Sequence, residues 1–373
     1  MFGEQVVVGW LVLELTDSSL LVGVALGLQM LPMLLFGVPL GVVADRGHRV
    51  RLIQAACLVM ALSAGALGLL VVTGAIAIGP VLSLAFVTGC ARTLQQTARQ
   101  AYAYDVAGER GMVHVLTLIA LASRAGGLLG ALLVGALIAR AGVGPAYLAV
   151  AAAYVLSAAA MLPAPWGQRA PRGEASFAAD LSGFLAVVRR DRTLVSLMGL
   201  TAAAEMLGFS HQAVLPSLAR DVLQVGPTGL GTMSAARQVG GLAGTALASS
   251  LGAAHGHGRA FLGVLVGFGA LIVALGAAPS LGTAVAVLVG ISAVASVSDV
   301  LSQALIHLAM PPALRGRAGG AWVVAIGTAP FGQLQIGALA SLVGVGAALG
   351  ANGLALLAVT AAAALLVPRL RRL

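Results

Sequence analysis

Charge is what this chain has least of. Only 9% of its 373 residues are charged and 60% are hydrophobic, whereas an ordinary soluble domain is about 25% charged. A soluble fold of this length could not cover its surface with so few polar groups, so the soluble classes are excluded. Lysine is missing altogether, all 21 basic residues being arginine. That removes the lysine of a Walker phosphate loop, and with it ATP binding by that route. Aromatic residues make up 4%, and the arginines are scattered through short segments between apolar runs. The net charge of +9 is therefore no nucleic-acid footprint, which would cluster basic residues on one face with aromatics between them. The two cysteines, Cys57 and Cys90, lie inside apolar runs and read as small buried hydrophobes, not as a disulfide framework or metal site.

What the chain does have is apolar length. Unbroken hydrophobic runs recur from end to end, long enough to cross a bilayer as helices and without the two-residue alternation of a membrane β-barrel. Against the polar breaks they give twelve spans, at 1–15, 19–44, 52–73, 75–97, 113–139, 143–163, 193–215, 228–252, 260–278, 281–306, 318–342 and 346–367. The expected fold class is an all-α integral membrane protein. Span 1 is short: fifteen residues reach about 22 Å, against a hydrocarbon core of about 30 Å, so the chain is expected to begin inside helix 1. With the amino terminus inside, sixteen arginines fall on the inner side and two, Arg140 and Arg220, outside, leaving Arg92, Arg124 and Arg237 at membrane depth. Basic residues hold loops on the cytoplasmic side, so both termini are expected there.

The longest polar stretch, 164–192, divides the spans six and six. The expected domains are an amino-terminal half (1–163), a cytoplasmic linker (164–192) and a carboxy-terminal half (193–373). An internal repeat supports the division: residues 130–146 and 332–348 share Gly130/Gly332, Gly135/Gly337, Gly142/Gly344 and Gly144/Gly346 at one offset of 202. Membrane transporters are commonly built from such repeats around a midplane site.

The segment Gly41-Val-Val-Ala-Asp45-Arg46-Gly47-His48-Arg49-Val-Arg51 resembles the major facilitator superfamily signature between helices 2 and 3. Glu14–Ser19, Leu215–Asp221 and Arg315-Gly-Arg317 resemble the drug:proton antiporter branch that contains the enterobactin exporter and macrolide efflux pumps. The resemblance covers the whole chain. It departs at Glu4, where Asp is more usual, and at Arg124–Gly130, where antiporters often carry a Gly-Pro pair. It implies the major facilitator fold, with two pseudo-symmetric six-helix halves that rock about a central cavity. It also implies proton-coupled efflux of a small amphipathic compound of drug or siderophore type across a bacterial inner membrane. The partners it implies are that substrate, protons and the lipid bilayer, for a monomer with no cofactor, metal or nucleic acid and no enzymatic activity. Uptake or lipid flipping by the same fold, and a decayed membrane protein that no longer transports, stay open as alternatives.

Ionisable groups at membrane depth are costly and mark functional sites. Six qualify: Glu4, Arg92, Arg124, Glu205, Arg237 and Asp299, on spans 1, 4, 5, 7, 8 and 10. None falls on spans 3, 6, 9 or 12, which lie outermost in the resembled family. The repeat relates Arg92 to Asp299 (offset 207) and Glu4 to Glu205 (offset 201). These residues could exchange a proton as the gate moves, or could form static ion pairs between helices. Gly41, Asp45, Arg46, Gly47 and Arg49 are read as a cytoplasmic gate motif, with plain inner-side anchoring as the alternative for Arg49 and Arg51. Gly37/Gly41, Gly126/Gly130 and Gly240/Gly244 are expected to let helices approach closely. Pro32, Pro39, Pro216 and Pro330 are expected to kink their helices. His211 is expected to be a hydrogen-bonded wall residue, and His255 and His257 to be solvated. Trp10, Trp322, Phe209 and Phe331 are candidates for a greasy pocket, for core packing or for lipid contact.

Overall fold

The structure is a computed structural model that describes residues 2–164, 192–250, 257–309, 322 and 324–372. Among the described residues every regular element is a helix, the form that satisfies its backbone groups without water. The chain begins with α1 (Phe2–Thr16), α2 (Ser19–Arg46), α3 (Arg49–Val72), α4 (Ile78–Ala141) and α5 (Val143–Ala160). A compound helix, α6 (192–222), is α-helical over Arg192–Ala203 and His211–Ser217 and π-helical over Ala204–Phe209 and Leu218–Val222. After it come α7 (Gly226–Ser250), α8 (His257–Gly276), α9 (Leu281–Ala309), α10 (Ala329–Val343) and α11 (Val345–Leu366). Among the described residues, eight segments are long and apolar enough to cross a membrane.

The chain forms two compact units. One comprises Met1–Arg172 with Gln224–Ala235, the other Gly173–Leu223 with Ala236–Leu373. In the first, α4 packs on α1, α2 and α3, and α3 packs on α5. The start of α7 belongs here because glycines let it touch α4: a Cβ on Gly135 would stand 2.8 Å from the Pro227 carbonyl oxygen. In the second unit α8 packs on α9 and α11, and α10 packs on α11. A buried cluster including Leu194, Leu197, Phe261, Leu265, Leu301 and Leu305 fills its interior. Leu62, Leu156, Leu342 and Leu366 are more than two-thirds exposed, as lipid-facing side chains would be.

α4 corrects one expectation. The break expected at 98–112 is helical, and helix is assigned continuously from Ile78 to Ala141. The helix nevertheless folds back on itself. Glu4 bonds Arg92, while a Cβ on the adjacent Gly3 would lie 3.1 Å from the Gly130 carbonyl. Residues 92 and 130 of a straight helix would be about 57 Å apart. Spans 4 and 5 are thus both present as antiparallel arms of α4. The connecting stretch contains no proline and includes good helix formers such as Arg99, Gln100, Glu109 and Arg110, so nothing in it breaks the hydrogen-bond ladder.

The four prolines differ in position, Pro216 lying within α6. Pro32 and Pro39 lie inside α2. Pro330 stands in the first turn of α10, where a missing N–H costs nothing, so it starts that helix instead of kinking it. Span 11, expected to run unbroken from 318, is interrupted by the turn at Gly327–Thr328. Residues 310–321 and 323 lie outside the described residues, as does the linker from 165 to 191.

The repeat recurs in the backbone. Gly142 and Gly344 join successive helices with φ of +88° and +85°, a conformation open to glycine but strained for other residues. Each donates its N–H to the carbonyl four residues back, Ile138 and Ala340 respectively. Two residues on, Gly144 lies against Gly68, and Gly346 against Gly276.

Candidate functional site

Each unit holds three of the six membrane-depth charges. In the first, the Arg92 Nη2 donates to Glu4 Oε2 at 2.7 Å, and the Tyr154 hydroxyl donates to the same oxygen at 2.5 Å. All three side chains are buried. Tyr147 stands two turns before Tyr154 on the same face of α5, fully buried and within electrostatic reach of Glu4. Its hydroxyl has no hydrogen-bond partner among the described residues, and neither do the side-chain amide atoms of buried Gln29 on α2. Arg124 lies half-buried on the returning arm of α4.

The second unit is built differently. Glu205 sits in the π turn Ala204–Phe209, and Asp299 of α9 is close enough for the two carboxyl groups to interact electrostatically. At the positions the repeat relates, one unit pairs an acid with a base, and the other places an acid within electrostatic reach of an acid. Farther along α6, buried His211 donates from Nδ1 to the Gly208 carbonyl at 2.7 Å. Arg237 of α7 is within electrostatic reach of that ring.

At the α2–α3 junction of the first unit, Gly47 caps α2, its N–H bonded to the Val43 carbonyl at 2.9 Å. A Cβ there would strike Leu52 at 2.6 Å. Arg49 opens α3 buried, reaching the Ala101 carbonyl at 3.2 Å and forming a salt bridge with Asp105. Arg49 is therefore not a solvated anchor; it ties α3 to the helical turn-back of α4. Arg51 is exposed, as an anchor would be. The side chains of Asp45 and Arg46 lie outside the described residues.

A family model for transmembrane secretion effectors matches residues 1–372. The chain belongs to this family of the major facilitator superfamily. Solved structures agree on the fold at low identity. A point mutant of the nucleoside transporter NupG superposes with a TM-score of 0.80 at 12% identity, over 98% of this chain and 94% of its own. A bacterial homologue of the human lysosomal transporter Spinster, inward-facing and unoccupied, gives 0.77 at 15%, over 99% and 94%. The inward-open xylose transporter XylE from E. coli gives 0.75 at 15%, over 98% and 93%. No curated protein matches the chain. The family and these neighbours make the protein a multi-pass membrane transporter and not an enzyme.

In this facilitator the remaining sequence candidates have varied surroundings. Trp10 donates to Glu14 Oε1 at 2.5 Å, and Trp322 donates to Ser302 Oγ at 3.3 Å. Phe209 meets Phe268 edge to face, with centroids 5.4 Å apart. Phe331 is half-exposed. Cys57 and Cys90 are free thiols. His257 is partly buried, and His255 lies outside the described residues. Of the three small-residue spacings, Gly240 and Gly244 do admit a neighbour, the backbone of α9 at Val289 and Ala293. Among the described residues, nothing lies within 4 Å of a Cβ on Gly37, Gly41 or Gly126, so no close approach is seen there.

Sequence reasoning missed Tyr154, Asp105 and a buried polar group in the second unit. There Asn352 of α11 pairs reciprocally with Gln335 of α10, at 2.8 and 3.2 Å, and donates to Ser210 Oγ at 3.1 Å. Asn352 is the only asparagine of the chain, an amide amid an apolar run, and that was the available signal. Tyr154 lies on span 6, set aside as an outer helix, and its partner is 150 residues away.

Proposed function

We propose that this facilitator exports a small amphipathic compound, of drug or siderophore type, in exchange for protons, across a bacterial inner membrane and as a monomer. The observation that carries the coupling is the contrast between the two units. Glu4 is held by Arg92 and Tyr154, so its charge already has partners. Glu205 and Asp299 are two acids within electrostatic reach of each other. Ionised together in a low-dielectric bundle they would repel strongly, and one proton taken up between them removes that repulsion. Uptake and release at this pair, timed to rocking of the halves 1–163 and 193–373 joined by 164–192, would exchange a proton for a solute. Arg124 and Arg237 add positive charge at membrane depth, which suits zwitterionic or mixed-charge solutes.

The family description, secretion, supports the export direction. Asp45 and Arg46 act beside the Arg49–Asp105 bridge as the cytoplasmic gate, closing the inner side in the outward-facing state. Gly47 shapes that turn, and Gly41 completes the motif.

Purified protein in liposomes, loaded with ethidium as an amphipathic cation, tests the reading. An imposed proton gradient should drive ethidium against its own gradient, and Asp299→Asn should abolish that movement while leaving folded protein in the membrane. Unchanged transport in that variant removes Asp299 from the mechanism. Proton-driven accumulation in the opposite sense favours uptake, and transbilayer movement of labelled lipid favours flipping.

A further inference from the structure

The π turn that carries Glu205 is held from three sides. At its middle Met206 lies against Gly332 of α10, where a Cβ would come within 2.7 Å of the Met206 Cα. Gly208 lies against Phe268 of α8, whose ring would be 2.6 Å from a Cβ at that position. Where the turn ends, Ser210 accepts the bond from Asn352, and Asn352 is locked to Gln335, three residues beyond Gly332 on α10. Asn352 and Ser210 are fully buried. A buried amide is stable there only because it is bonded.

The first unit shows what this hardware changes. α1 carries Glu4 in regular α-helix, and the residue before the acid, Gly3, packs on Gly130. In the second unit the residue after the acid, Met206, packs on Gly332, the repeat-partner of Gly130. A π turn inserts one residue into a helix, and one residue rotates the following side chains by about 100°. The π turn therefore sets the register between Glu205 and the residues that follow it.

We propose that Asn352 is a positioning residue: through Ser210 it fixes the register of the π turn and so presents Glu205 to Asp299. This rests on the proton exchange proposed for that pair. The charged and titratable groups around the turn are Asp299 from α9, and His211 of α6 with Arg237 of α7 in reach of it. α8 carries His257 and Arg259 in its first turn, and α10 and α11 carry none. Without the Asn352 bond the helix relaxes toward α register and the two carboxyl groups part.

The test uses the full chain in liposomes of phosphatidylethanolamine and phosphatidylglycerol, with the proton itself as probe. Infrared difference spectra between acid and alkaline buffer should contain a carboxyl band that Glu205→Gln removes. Asn352→Leu and the milder Ser210→Ala should displace that band, while Ser210→Thr, which keeps the hydroxyl, should restore it. A band identical to wild type in folded Asn352→Leu and Ser210→Ala overturns the proposal. If Glu205→Gln leaves both the spectrum and proton-driven ethidium efflux unchanged, the exchange reading fails. Positioning is then read from maleimide labelling of Glu205→Cys in a Cys57→Ala, Cys90→Ala background. Asn352→Leu should change that labelling rate several-fold, and equal rates overturn the positioning role.

Discussion

At the scale of single residues, burial makes charge partners obligatory. Arg92 and Glu4 are both under a tenth exposed, so deleting one leaves the other as an uncompensated buried ion. Arg92→Leu should therefore destabilise the protein by about 3–5 kcal/mol. The double variant Glu4→Gln, Arg92→Leu should recover most of that loss, as read from thermal melts in detergent. Equal loss in the single and double variants would show that the pair is not coupled. Tyr154→Phe removes one hydrogen bond to a charged acceptor, which corresponds to about 1.5–3 kcal/mol. Its effect should vanish in the Glu4→Gln background.

At the scale of elements, close contact is decided by where a glycine meets another backbone, and spacing alone does not report it. Gly332 abuts the Met206 backbone, whereas among the described residues nothing lies within 4 Å of a Cβ on Gly37. Gly332→Ala should cost about 1–3 kcal/mol through forced backbone shifts. Gly37→Ala, in an open helix interior, should be neutral or stabilising by about 0.5–1 kcal/mol. Melting midpoints of the two variants check the contrast, and a fall for Gly37→Ala would reveal a contact at that face. α4 makes the same point about helices. The sequence predicts two spans and the structure contains two arms, but the turn between them stays helical because no proline or glycine run interrupts it.

At the scale of the whole molecule, arginine asymmetry is the basis of the proposed orientation. In a cysteine-free background (Cys57→Ala, Cys90→Ala), His48→Cys should react with a membrane-impermeant maleimide only from the cytoplasmic side of oriented vesicles. Ala141→Cys should react only from the opposite side. Labelling of both from one side would invalidate the topology on which the gate assignment stands.

The sequence by itself determined the membrane class, the positions of most spans and the repeat at an offset of 202. Those are properties of run length and composition, set by the thickness of a bilayer and the need to bond every backbone group within it. It also singled out six ionisable residues within apolar runs, because such residues are conspicuous one at a time. Tertiary structure alone decided which of them meet. Glu4 finds Arg92 and Tyr154 across 88 and 150 residues, and α6 changes to π register at Glu205. Pairing across such separations, and a change of helical register, depend on how packed helices fit together, which local composition does not encode.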